Sequence, residues 1–339
     1  MRTLSRLSHT APRGRYAPSP TGLIHVGNAR TALAAWLSVR SRGGTFVWRL
    51  EDLDLPRVVP GMAALQMEDL AWLGLDWDEG PDLGGPSAPY EQSHRSAFYE
   101  EALERLAATG RLFPCRRSRK DLHDMASAPH GPEGGAPYPA AFRPQHLDPA
   151  WFESLRGMTR PDAAIRFLIQ DRPVVWRDRV FGEQVERVDQ TVGDFVLKRR
   201  DGLYAYQLAV VVDDLAMQID EVVRGADLLD STARQIQLIE ALGGAPPAYA
   251  HVPIVINVHQ EKLSKRDQAL TLRSLREEGV HSERVVGELA ASLGIIDRPD
   301  PCRPGDLLQE FAWEKIGREE WMWSPHPRPL SRERERGEG

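Results

Sequence analysis

The stretch Arg15-Tyr16-Ala17-Pro18-Ser19-Pro20-Thr21-Gly22-Leu23-Ile24-His25-Val26-Gly27-Asn28 constrains the fold of this chain more than any other. Gly14 to Ala17 reads as a short strand that ends at Pro18 and Pro20, because proline removes a ladder donor. A helix then opens near Val26 or Gly27. Leu33, Trp36, Leu37 and Arg40 follow at helical spacing, and Gly43-Gly44 stops the helix. Thr45 to Leu50 is a β-rich run and reads as the next strand. Strand, helix and strand in this order predict a parallel pair joined by a right-handed crossover. His25 and Gly27 fall at the helix start, where backbone N–H groups can receive a nucleotide phosphate.

Further along, Ala63 to Leu73 and Ser96 to Ala108 read as amphipathic helices, and His130 to Pro149, rich in Pro, Gly and Ala, as a loop. Ala163 to Phe167 and Val174 to Val188 alternate like strands of an antiparallel hairpin, and Asp194 to Leu197 is expected to return to the main sheet. Val210 to Val212 reads as an apolar strand, Leu229 to Leu242 as a helix and Val252 to Val258 as a strand. The order predicts an α/β fold: a doubly wound parallel sheet, Rossmann-like, with an inserted α+β subdomain. Residues 14–110 and 191–270 are expected to form the two halves of the nucleotide-binding domain and 111–190 the insertion. Residues 271–322 would be a short helical extension. The Arg/Pro-rich residues 323–339 are expected to be a disordered tail, with a basic RNA-touching tail as the alternative.

A chain of 339 residues with 41% hydrophobic content is long enough for a sizeable core. No apolar run approaches the roughly 20 residues needed to span a bilayer, so no membrane partner is expected. Residues 1–14 are polar and lack an apolar stretch of signal-peptide length. Cys115 and Cys302 are the only cysteines and make no disulfide framework; a reduced cytoplasm is the simplest home. The net charge of -6 does not advertise RNA binding, although basic residues clustered on one face would still permit it.

Lys262-Leu263-Ser264-Lys265-Arg266 is a compact cationic loop after an apolar strand. A helix start that holds phosphate and mobile positive charge that stabilises a reacting phosphate are together what adenylation needs. Each feature also has a plainer reading. His25 can be a helix-start residue satisfied locally, and a Lys/Arg cluster is most often a solvated turn. Tyr206 can be core packing. Glu51, Asp52 and Asp54 can be a solvated strand end, and Asp213 and Asp214 caps of a turn.

The two segments resemble the HIGH and KMSKS signatures of class I aminoacyl-tRNA synthetases. Trp48-Arg49-Leu50-Glu51-Asp52-Leu53-Asp54, Val210-Val211-Val212-Asp213-Asp214 and Val222-Val223-Arg224-Gly225-Ala226-Asp227 resemble the glutamyl group specifically. The resemblance runs from about Gly14 to about Arg266. It implies an ATP site at His25, Gly27, Asn28 and Lys265, with His25, Lys262 and Lys265 acting in catalysis and Mg2+ accompanying ATP. Asn28 stands where the signature has its second His, and can donate a hydrogen bond without carrying charge. The resemblance also implies a glutamate site at Arg15, Tyr16, Ala17, Pro18, Ser19, Glu51, Tyr206 and Arg224. Chemically, two arginine forks suit two carboxylates, and Glu51 suits the ammonium.

The relatives often hold zinc in the insertion through Cys-x-Cys, a Tyr and a further Cys. Here Cys115 and Tyr138 remain, while Arg117 and Phe142 occupy the other two places. Too few ligands are left for a closed tetrahedral site, so zinc is not expected; His123 and His130 do not stand at a standard zinc spacing. After Arg266 only 73 residues remain (339 minus 266), too few for a sizeable helical anticodon-binding region. That shortened architecture resembles the glutamyl-Q tRNA(Asp) synthetase family, as do Phe113-Pro114-Cys115 and the run Arg199 to Tyr206. The family activates L-glutamate with ATP without tRNA and attaches it to queuosine in the anticodon of tRNA(Asp). Two alternatives stand beside this one: a truncated glutamyl-tRNA synthetase charging a tRNA 3′ end, and a catalytically inactive RNA-binding paralogue.

Overall fold

The computed structural model describes residues 11–117, 137–146, 150–158, 160–256 and 271–322. Strand β1 (Arg13–Tyr16) runs parallel to β2 (Thr45–Trp48), with α1 (Val26–Arg40) between them. The Pro/Gly punctuation thus forms the predicted strand, turn, helix and strand. α2 (Met62–Leu73) and α3 (Ser96–Ala108) also form as the periodicity predicts.

Five parallel strands and one antiparallel edge make the main sheet. Its order is β2-β1-β8-β9-β5-β6, with β5 (Val174–Asp178), β6 (Gly182–Glu186), β8 (Glu221–Gly225) and β9 (Ala248–Val252). Alternate strand residues enter two separate cores. Phe46, Trp48, Val223, Ala250 and Val252 pack with α1, α2 and the helix Ser282–Ser292. Val47, Val222 and Tyr249 pack with α3 and the helices Tyr206–Ala216 and Thr232–Ala241. The period-two pleat therefore divides helices between the two faces, which makes the sheet doubly wound.

A second, three-stranded antiparallel sheet joins β3 (Leu112–Cys115), β4 (Ala164–Phe167) and β7 (Phe195–Lys198) in the order β3-β4-β7. Several local expectations are corrected here. The hairpin β5–β6 belongs to the main sheet, through β5 alongside β9, and β4 does not pair with it. β7 pairs with β4 and does not return to the main sheet. Alternation along a strand records which faces are buried and not which neighbour it finds. Val210–Val212 and the two acids after it form part of the helix Tyr206–Ala216. A short apolar run reads alike as a strand or a wholly buried helix, and burial here overrides β-branched propensity. The next helix starts at Thr232, after a 3-10 turn over Ala226–Ser231. Beyond β9, Pro253 interrupts the expected strand, which resumes as β10 (Val255–Ile256).

Candidate active site

One cavity of about 710 Å³ opens at the carboxyl ends of β1, β8 and β9. It lies where the strand order reverses: β2 is added on one side of β1 and β8 on the other. Arg15, Tyr16, Ala17, Pro18 and Ser19 line it from β1 and the turn after it, and His25, Gly27 and Asn28 from the start of α1. Glu51, Tyr206 and Arg224 complete that group. The fold brings together every predicted site residue that lies within the described segments.

His25 is the N-cap of α1. Its Nδ1 accepts from the backbone N–H of Gly27 at 3.1 Å and of Asn28 at 3.3 Å. An accepting Nδ1 leaves the ring proton of a neutral imidazole on Nε2, as a donor. A Cβ on residue 27 would stand 3.0 Å from His25 Cε1 and 3.4 Å from Val255 Cβ, so glycine lets the ring sit against the helix. The first turn of α1 holds no acidic residue. Its positive end is therefore not neutralised within the turn, which favours an anion there.

Arg15 is buried and fixed from behind. Its Nε donates to Asp214 Oδ1 at 3.2 Å and its Nη1 to the Val223 carbonyl at 3.2 Å. The same Asp214 oxygen accepts from Arg49 Nη1 at 2.6 Å, and Arg49 Nη2 reaches Glu51 at 3.3 Å. Burial pushes the Asp214 carboxyl up, but Arg15 and Arg49 outweigh it and hold Asp214 below the usual carboxylate range. For Glu51 burial wins over Arg49 and Arg15, and the carboxyl is raised. Burial also raises the Tyr206 hydroxyl. Asp213 is buried, does not line the cavity, and accepts from Arg95 at 2.6 Å, Gln92 at 2.7 Å and Tyr99 at 3.0 Å. Asp52 accepts from the Ser93 backbone and hydroxyl, which fastens a loop. Neither residue is a solvated cap.

Arg224 is held differently. It donates to Gln235 Oε1 at 2.7 Å, Thr232 Oγ1 at 2.9 Å and His251 Nε2 at 3.0 Å. Gln235 in turn donates to Gln207 at 2.8 Å. These partners were not singled out from the sequence. His251 left the one signal that was available, a polar residue within the strand Ala248–Val252.

Lys262 and Lys265 lie outside the described residues. The chain on either side is anchored at the cavity. Val255 lines it, Thr271 pairs with His25, and Leu272 N–H donates to the Ile24 carbonyl at 2.8 Å.

In the smaller sheet, Cys115 Sγ is 3.5 Å from the Tyr138 hydroxyl. The Arg117 guanidinium lies 3.9 Å from the Phe142 ring centroid, and Arg166 4.1 Å from that of Tyr138. The four positions thus form a cation–aromatic cluster around a thiol. Two cations and at most two donors do not fit a zinc ion. His123 and His130 lie outside the described residues.

The sequence profile described as tRNA synthetases class I (E and Q), catalytic domain, matches residues 12–295. The chain is 47% identical over 307 residues to the glutamyl-Q tRNA(Asp) synthetase of Symbiobacterium thermophilum, covering 90% of this chain and 94% of that one. It is also 47% identical to the protein of the same name from Nitratidesulfovibrio vulgaris, over 87% and 90% of the two. Among solved structures, a glutamate tRNA ligase from Elizabethkingia meningosepticum in complex with its amino acid superposes with a TM-score of 0.81 at 29% identity. That match covers 93% of this chain and 68% of the ligase.

Proposed function

The chain belongs to the class I tRNA synthetase family (E and Q), in its glutamyl-Q tRNA(Asp) synthetase branch, and we propose that it activates L-glutamate with ATP without tRNA and transfers it to queuosine in the anticodon of tRNA(Asp). The family is one of ligase-type, ATP-using enzymes. The observation that carries the reading is the convergence of His25, Gly27 and Asn28 with Arg15, Glu51, Tyr206 and Arg224 on one cavity. That set offers a phosphate seat and the complement of an amino acid with two carboxylates and one ammonium.

In this reading, a glutamate carboxylate oxygen attacks the α-phosphorus of ATP. The bond to the bridging oxygen breaks, and pyrophosphate leaves with the electron pair, giving glutamyl-adenylate. The His25 Nε2–H donates to phosphate oxygens, the positive end of the α1 dipole attracts them, and Lys262 and Lys265 bring charge to the leaving group. The two arginines grip the two carboxylates. The substrate ammonium draws Glu51 back towards its ionised form, against the raising effect of burial. Of the described residues lining the cavity, only Glu51 and Asp227 carry carboxylates, and Glu51 accepts from Arg49. A Mg2+ ion would therefore enter on the ATP phosphates and not in a protein cage.

Labelled glutamate, ATP and tRNA(Asp) with or without queuosine test the acceptor. Label on the modified tRNA alone is the expected result. Label on a 3′ end irrespective of queuosine would favour a truncated glutamyl-tRNA synthetase. No label together with no adenylate would favour an inactive RNA-binding paralogue. Among the described residues no helix is long and apolar enough to cross a membrane.

A further inference from the structure

We infer that Asp178 and His251, neither of which lines the cavity, act as positioning residues that fix the plane of Arg224 for a substrate carboxylate. This rests on the reading of Arg224 as a glutamate-gripping residue.

Asp178 ends β5, His251 lies in β9 and Arg224 in β8, and all three are buried. Asp178 Oδ1 accepts from the backbone N–H groups of Val180 and Phe181, each at 2.9 Å, and of His251 at 3.3 Å. Its Oδ2 lies 2.6 Å from His251 Nδ1. On the far side of the ring, Nε2 stands 3.0 Å from Arg224 Nε. A guanidinium only donates, so Nε2 must accept. The proton of the neutral ring is then on Nδ1, aimed at Asp178. Thr232 Oγ1, 3.3 Å from Nε2, accepts from Arg224 Nη2 at 2.9 Å, and its hydroxyl can donate to the same imidazole lone pair. One tautomer satisfies every contact, and Asp178 selects it.

The guanidinium plane is set by His251 at Nε, Thr232 at Nη2 and Gln235 at Nη1. Each of the two terminal nitrogens keeps one further N–H for a ligand. A carboxylate that binds both needs that plane held, because paired N–H···O bonds are directional.

Asp178→Asn is the discriminating variant. The oxygen of its amide must stay on the three backbone N–H groups, which turns the NH2 towards His251 Nδ1. The ring proton then moves to Nε2 and faces the Nε–H of Arg224, donor against donor. The glutamate KM in glutamate-dependent pyrophosphate exchange should rise about tenfold or more, while the ATP KM changes by less than about twofold. His251→Leu should behave in the same way. His251→Gln, whose Oε1 can accept from Arg224, should keep the glutamate KM within about threefold of wild type, and adding Asp178→Asn to it should cost little more. Nitrogen NMR of histidine-labelled wild-type protein, with the signal assigned by its loss in His251→Gln, should show a neutral Nδ1–H ring at neutral pH. An Nε2–H or doubly protonated ring in the wild-type protein would overturn the inference whatever the kinetics of the variants. So would an unchanged glutamate KM in Asp178→Asn, or equal rises for glutamate and ATP. Arg224→Lys separates the two levels: if it leaves the glutamate KM unchanged, the reading of Arg224 itself fails. If it raises KM and Asp178→Asn does not, only the positioning role fails.

Discussion

Arg15 and Arg224 face the same cavity, and their counter-charges come from different places. Arg15 is ion-paired inside the protein to Asp214, which it shares with Arg49. Arg224 is held by Gln235, Thr232 and His251, all neutral when the ring carries its single proton on Nδ1. A buried cation among neutral acceptors is hydrogen-bonded but not neutralised. In the proposed function, the substrate carboxylate completes it. The first arginine is therefore foremost a part of the fold that also presents N–H groups, and the second is poised for an anion. Losses at the first should appear in stability, and losses at the second in substrate use.

The largest effect is expected from Asp214→Asn, which leaves Arg15 and Arg49 buried with an amide between them. Breaking a buried ion pair in this way costs about 3–5 kcal/mol. Because the native Asp214 pKa is depressed, its contribution is fully present above the unfolded value of roughly 3.9 and is lost as pH falls through the native value. Denaturant unfolding should show the full deficit at pH 7, shrinking in strong acid. A variant as stable as wild type at pH 7 would break the comparison at its first term.

Lys265→Ala comes next. A charge acting on the reacting phosphate is worth about 2.7–4 kcal/mol, or roughly 10²–10³ in rate. Single-turnover adenylation should slow by that factor with glutamate affinity little changed; an unchanged rate would remove Lys265 from the chemistry.

Arg224→Lys keeps the charge and loses the fork. Losing charged hydrogen bonds of this kind costs about 1.5–3 kcal/mol in kcat/KM for glutamate. Thermal unfolding should move far less than in Asp214→Asn. Wild-type kinetics would mean that Arg224 does not hold the substrate.

The smallest effect is expected from metal removal. With Arg117 against Phe142 and Arg166 against Tyr138, the smaller sheet is predicted to hold without zinc. Metal analysis should find well under one zinc per chain, and a chelator should leave the melting temperature unchanged. Stoichiometric zinc would direct attention to His123 and His130.

The two arginines also differ in how much the sequence discloses. Arg15 sits in a strand broken by Pro18 and Pro20 before a helix, and local chain stiffness makes that unit legible. The Asp214 that anchors it was visible as a residue but placed after a strand, since Val210–Val212 carries no period that distinguishes a buried helix. The surroundings of Arg224 come from β5, β9 and the helix Thr232–Ala241, and nothing local announces that they meet. The same non-locality explains β5–β6 and β7. Their β character was readable, but their partners depend on pairing across long sequence separations.

Pyrophosphate exchange without tRNA, run in parallel with glutamate and glutamine, tests the central claim most directly: that this cavity unaided recognises and activates an amino acid with two carboxylates. Glutamine keeps the shape and removes the second charge, leaving one guanidinium without its anion. The account predicts exchange with glutamate and at least about a hundredfold lower kcat/KM with glutamine. Exchange that needs tRNA, or that proceeds equally with glutamine, would contradict it.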